Sequence, residues 1–196
     1  MTTLWQAVSC GLGFGRRQLG GLGWQSIKTA KKSEFFRWFS LSEIGTAKDE
    51  NGNSVVSFRP TGGKFDSLVT LGVVLDERHC ICQLHLSLDM SFVDDKKDGM
   101  FARDIAKSFL HSALPRADAR SGTMLADEIA FRHEFPVITP ASSPRPQLPA
   151  EPTPGFLAFT GQRQLFEAVY SQSSLRIEQT RADNTENVVI SIRAQP

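Results

Sequence analysis

The chain has 196 residues, about 1.3 typical domains, so one domain with appendages is expected. Hydrophobic residues make up 40% and charged residues 22%, with 22 basic against 21 acidic side chains. A core of ordinary size is therefore available; the balance of charge excludes a wholly basic nucleic-acid binder and an acidic disordered chain, and 15 glycines and three cysteines exclude a collagen-like or disulfide-dense scaffold.

The first 38 residues differ from the rest. Six basic residues (Arg16, Arg17, Lys28, Lys31, Lys32, Arg37) against the single acid Glu34 give this stretch +5, leaving −4 for the remainder of a chain whose net charge is +1. All three tryptophans, Trp5, Trp24 and Trp38, lie here, and six glycines fall between Gly11 and Gly23. Residues 1–32 are read as a flexible arm outside a domain spanning 33–196. Three readings fit such an arm: aromatic and basic anchors for an anionic membrane, a removable organellar targeting segment, or a poorly ordered terminus whose aromatic end packs on the domain. No run of apolar residues reaches the length of a transmembrane helix. Three cysteines, Cys10, Cys80 and Cys82, form an odd set without framework spacing, which favours reduced thiols and a reducing compartment, cytoplasm or organelle matrix.

Ser33 as a cap and Phe35, Phe36 and Phe39 predict a short helix docked on the core and ended by Gly45. Asp49 to Asn53 is turn chemistry, and Ser54 to Arg59 a strand. Residues 67–75 and 80–88 predict two strands joined by Asp76, Glu77, Arg78 and His79. Pairing Leu75 with Cys80 sets Val73 opposite Cys82, Leu71 opposite Leu84 and Val69 opposite Leu86 on one apolar face, and Thr70 opposite His85 on a mixed one. Cys80 and Cys82, two residues apart on a strand, then point inward as inert buried thiols.

A helix from Gly99 to Leu114 is predicted next, capped by Asp98 and stopped by Pro115, with Phe101, Ala102, Ile105, Ala106, Phe109, Leu110 and Ala113 as its apolar stripe. His111 near its C-terminus is placed to favour the helix dipole when protonated. A second helix, Thr123 to Arg132, would bury Met124, Leu125, Ile129 and Ala130 and expose Asp127 and Glu128. Seven prolines in 136–154 mark an extended surface excursion. Beyond it Phe156 to Thr160 is read as a strand, Gln162 to Tyr170 as a helix, and Leu175 to Arg181 with Asn187 to Arg193 as a hairpin. That hairpin aligns Ile177 with Ile190, Leu175 with Ile192 and Arg181 with Glu186. About forty residues bury no core alone, so these elements should complete the first sheet.

The motifs tested fail on chemistry. Gly11, Gly13 and Gly15 lack the third glycine and preceding strand of a dinucleotide fingerprint, and Phe58 and Phe65 replace the first glycine and the hydroxyl that a phosphate loop around Gly63 and Lys64 needs. Asp94, Asp98 and Gly99 match a calcium loop, but Lys96 and Ile105 stand where acids belong. His133 and Glu134 lack the second histidine of a zinc-protease helix, and His79, His85 and His111 add no ligand spacing. Asp104, Ser108 and His111 share a helix face with no donor hole for an oxyanion. The P-x-x-P steps between Pro146 and Pro152 have no basic residue at the docking spacing.

The expectation is a single α+β domain, an antiparallel sheet covered by amphipathic helices, with no cofactor or metal assigned. Its expected function is non-catalytic binding or scaffolding at a membrane surface or partner protein, through Trp5, Arg16, Arg17, Trp24, Lys28, Lys31, Lys32, Arg37 and Trp38. The alternative is a hydrolase whose site is assembled from distant residues.

Overall fold

The computed structural model describes residues 22–132, 146–182 and 184–195. Its strands are β1 (Leu41–Lys48), β2 (Ser54–Pro60), β3 (Val69–Leu75), β4 (Ile81–Asp89), β5 (Leu165–Val169), β6 (Ser173–Ala182) and β7 (Thr185–Ala194). They form one sheet in the order β1-β2-β3-β4-β7-β6-β5, antiparallel throughout. The helices are α1 (Ile27–Lys32), α2 (Glu34–Trp38), α3 (Met90–Val93), α4 (Gly99–Ala113), α5 (Ala119–Phe131) and α6 (Pro154–Phe159). This is a single-domain α+β fold. Alternate residues of the inner strands, among them Leu71, Val73, Leu84, Leu86, Ile177, Ile190 and Ile192, join Ile105, Phe109 and Leu110 of α4 in the core. The C-terminal elements complete the first sheet as expected, because β7 pairs with β4.

The β3–β4 hairpin departs from the expected register, and the departure can be traced to two slips. Asp76 accepts the amides of Arg78 (2.9 Å) and Cys80 (2.8 Å), and its own amide donates to the Cys80 carbonyl (3.0 Å). His79 takes the left-handed conformation, φ 59°, so the turn holds one more residue than expected and Leu75 faces Ile81. One slip alone would turn every β4 side chain to the other face. A bulge between this pair and Val74–Gln83 supplies a second, after which Val73 faces Leu84, Leu71 faces Leu86 and Val69 faces Leu88. The apolar face survives, but Ile81 enters it instead of the cysteines. Cys80 and Cys82 are therefore only half-buried, and Cys80 is disulfide-bonded while Cys82 is free, which corrects their expected place inside the core and, for Cys80, the expected reduced thiol. The Cys82 Sγ lies 3.5 Å from the Val74 carbonyl, and burial, with the charge of Asp76, pushes its thiol pKa up. The β6–β7 hairpin needs no correction: Ile177 faces Ile190, Leu175 faces Ile192 and Arg181 faces Glu186.

Two elements exchange type. Phe156 to Thr160, expected as a strand, belongs to α6, where Thr153 caps the Phe156 amide (3.3 Å) and Pro154 occupies the first turn. A proline needs no hydrogen bond there and its φ suits a helix. Gln162 to Tyr170, expected as a helix, contains β5, whose side chains alternate exposed and half-buried with period two. Gly45 lies within β1 rather than ending a helix. α5 begins at Ala119, four residues earlier than expected.

Packed order also begins earlier than Ser33. Leu22 and Trp24 are each 3% exposed. The Trp24 ring centre lies 5.6 Å from Phe35, 5.6 Å from Phe36 and 6.3 Å from Phe109. Backbone bonds hold the same stretch, Gly23 donating to the Ala113 carbonyl (2.8 Å) and Ile81 to the Gln25 carbonyl (3.2 Å). At Gly23 the chain passes so close to α4 that a β-carbon would sit 2.2 Å from the Ser112 carbonyl oxygen.

Two buried acids tie α5 to the C-terminal third. Asp118, before the helix, accepts from the Ser171 amide (3.0 Å) and hydroxyl (2.6 Å), the Gln172 amide (3.0 Å) and the Ser173 hydroxyl (2.8 Å). Glu128, expected on the solvent face, is fully buried. It accepts from Arg132 Nε (3.1 Å), the Thr153 amide (2.9 Å) and the Thr153 hydroxyl. Met124, expected inside, is 54% exposed instead. Arg132 continues the network to the Pro149 and Glu151 carbonyls, so the described part of the proline-rich segment is fastened to the helix layer. Residues 136–145 of that segment lie outside the described residues.

Burial raises the Asp118 pKa, but the Ser171 and Ser173 hydroxyls and the Gln172 and Ser171 amides outweigh it and hold the carboxyl below 3.8. The stabilisation is present above the ordinary carboxylate range and is lost as pH falls through the folded value. Asp118→Ala should therefore cost about 3 kcal/mol in urea unfolding near neutral pH, and the gap to the wild type should narrow below about pH 4.

Candidate contact surface

The sequence-selected residues that the structure describes gather around one corner. Ser26 caps α1 by a reciprocal bond with Thr29, and Ser33 ends α1 and caps α2, so the chain turns sharply between the two helices. Phe35 and Phe36 bury one side of α2; Phe36 meets Phe58 of β2 at 5.0 Å. What remains outside is Glu34, Arg37 and Trp38, the last 67% exposed. Lys28 and Lys32 on α1 are exposed as well. Among the described residues Lys28, Lys32 and Arg37 have no ion-pair partner.

Two members of the expected set play other parts. Trp24 is inside the core and offers no contact surface. Lys31 is engaged by Glu43 at 3.0 Å and lies 5.5 Å above the Phe58 ring. Trp5, Arg16 and Arg17 lie outside the described residues.

The apolar part of this surface is wider than the sequence suggested. Phe39 meets Phe101 at 5.8 Å, and Phe101 meets Phe65 at 4.9 Å. Phe101, expected in the buried stripe of α4, is 38% exposed, and Met100 beside it 55%. Lys64 lies 5.2 Å over the Phe65 ring and pairs with Asp98. Asp98 is thus turned to that lysine and makes no side-chain cap to α4. Met100 and Phe65 escaped the sequence reading because Phe65 stands in a glycine-broken loop and Met100 falls between helix faces.

Three further clusters bear on chemistry. On the sheet face opposite the helices, His85 Nδ1 lies 2.8 Å from Ser191 Oγ across β4 and β7. The pair resembles a base beside a nucleophile, but both residues stand mid-strand, where neighbouring amides serve the ladder and no donor pair is left for an oxyanion. An open cleft of about 440 Å³ is lined by Asp89, Ser91, Asp94 and Glu186, yet Asp89 already accepts from the Ser91 amide (2.8 Å) and hydroxyl (2.7 Å). It contains neither His85 nor His111. His111 does not have the raised pKa expected at a helix end: burial first and then Lys107 lower it, against Asp127. Among the described residues no group of three or more His, Cys, Asp or Glu is arranged to hold a metal ion, and no helix is long and apolar enough to cross a membrane.

No family description, no curated protein and no solved structure matches this chain.

Burial lowers the His85 pKa below 6.5, against the opposing pull of Glu178 and Asp49. The unfolded chain takes up this proton at a higher pH than the folded one, so stability is unaffected above the ordinary histidine range and falls below it. His85→Gln should flatten the decline of Tm between about pH 7 and about pH 5; parallel slopes for the two proteins would contradict a buried neutral imidazole.

Proposed function

We propose that the protein is a non-catalytic binding module that docks on an anionic membrane surface through the α1–α2 corner. The observation that carries the reading is Trp38, two-thirds exposed beside Arg37 on a helix whose other side is fastened into the core. The backbone that carries this tryptophan is already fixed, and its amphipathic ring suits the headgroup level. Lys28, Lys32 and Arg37 complement an anionic surface, each worth about 1 kcal/mol close to it. Together they amount to about 3 kcal/mol, which the exposed Glu34 of α2 partly offsets, a weak and reversible contact. Arg16 and Arg17 precede this corner in the chain and add the same sign of charge.

The place of Trp24 dictates how this is tested. A chain beginning at Lys32 would lose a core tryptophan, so a truncation must leave Leu22 and Trp24 intact. Full-length protein should cosediment with vesicles containing phosphatidylserine and much less with neutral vesicles or at high salt. Trp38→Ala should weaken binding severalfold, and Lys28→Glu with Lys32→Glu and Arg37→Glu should reduce it more than a hundredfold, since the lost attraction alone is about 3 kcal/mol and the new carboxylates add repulsion. Equal cosedimentation of all three proteins would sink the membrane reading and leave the corner to a protein partner.

A further inference from the structure

We infer that the protein self-associates through β5, a second copy adding its own β5 antiparallel to the first so that the two sheets continue as one. The two edges of the sheet are built differently. At the β1 edge the register shifts between Glu43 and Gly45, and the strand carries Glu43 and Lys48. Bulges and charges of this kind blunt an edge against pairing. β5 has no such bulge. Its register with β6 is unbroken from Leu165 to Val169, and it contains no proline or lysine. Its one charge, Glu167, is paired with Arg176 at 3.3 Å. Leu165 and Val169, on either side, are 37% and 77% exposed.

The hydrogen-bond phase of the strand fits self-pairing. Tyr170 donates to the Ser173 carbonyl (2.8 Å), and the Gln164 carbonyl accepts from Gln179 (3.0 Å). Even-numbered residues of β5 therefore bond to β6, while the amides and carbonyls of Leu165, Glu167 and Val169 point away from it. The Leu165 carbonyl is met there by Arg163 Nε at 2.8 Å, an exposed side chain that must give way to the amide of a pairing strand. A two-fold axis at Glu167 sets outward residues against outward residues: Glu167 against its own counterpart, and Leu165 against Val169 of the second copy. Two aliphatic pairs then bracket the central carboxylates, whose like charges oppose the pairing and are offset by each one's own Arg176. Phe166 and Ala168 meet in the same register on the helix side. A strand of five residues makes a small interface, so the dimer is weak and concentration-dependent. It uses the edge opposite β1 and β2, where α1 and α2 sit, and stands or falls independently of the membrane contact.

The test is sedimentation of the full chain from micromolar to millimolar concentration, beside oxidative cross-linking. The wild type should pass from monomer to dimer, whereas Val169→Lys, a change at an exposed position, should stay monomeric with an unaltered Tm. In the two-fold register the Glu167 α-carbons lie about 5.5 Å apart, within disulfide reach, and the two Val169 about 14 Å apart. Glu167→Cys should therefore form a covalent dimer on oxidation and Val169→Cys should not, with the wild type controlling for the native cysteines. A wild type monomeric throughout, a Val169→Lys protein that dimerises as well as the wild type, or equal cross-linking of both cysteine variants would overturn the inference.

Discussion

The packing of Trp24 against Phe35, Phe36 and Phe109 is the constraint on which the proposed contact surface depends. α1 has six residues and α2 five, too few for either to persist alone in water. Their conformation comes instead from buried rings, each worth roughly 1.5–3 kcal/mol relative to exposure. Because Phe35 and Phe36 take the inner side of α2, the next two residues are carried outward, and Arg37 and Trp38 are exposed, as are Lys28 and Lys32 on α1. One tryptophan of the basic segment is thus a structural post and another a surface group. Composition cannot separate them, since both stand in the same acid-poor stretch.

The second constraint is polar. Asp118 and Glu128 bracket α5, and each binds groups more than twenty residues away in the chain. A buried carboxylate left without donors costs several kcal/mol, so these acids specify where the β5–β6 turn and the start of α6 must sit. Arg132 and Arg103 flank the Phe156 ring at 5.8 and 5.7 Å, and α6 is seated between the acid network and the core. The proline-rich excursion leaves and rejoins a layer already locked by these contacts.

Much of the sheet was legible from residue patterns alone. The β6–β7 register follows from two alternating runs and a short polar turn. The β3–β4 faces were readable too, although the turn's left-handed His79 and the later bulge were not, because neither has a glycine to signal it. α6 and β5 were exchanged because a five-residue apolar run has no decisive period, and the decisive signals, Thr153 before Pro154 and alternation through Leu165 to Val169, are short. Glu128 was misplaced because helical periodicity locates a residue on a face and says nothing of a Thr–Arg pair waiting on that face. Of the candidate surface, Lys28, Lys32, Arg37 and Trp38 were found by charge and aromatic content. Burial of Trp24 and exposure of Phe101 and Met100 depended on tertiary packing.

The division of labour between the two described tryptophans is most directly tested by fluorescence of full-length single-tryptophan proteins, Trp5→Phe with Trp38→Phe and Trp5→Phe with Trp24→Phe. The account predicts a blue, poorly quenched emission for Trp24 that anionic vesicles leave unchanged, and a red, readily quenched emission for Trp38 that shifts blue when those vesicles are added. An exposed Trp24, or a Trp38 whose spectrum ignores the vesicles, would contradict it.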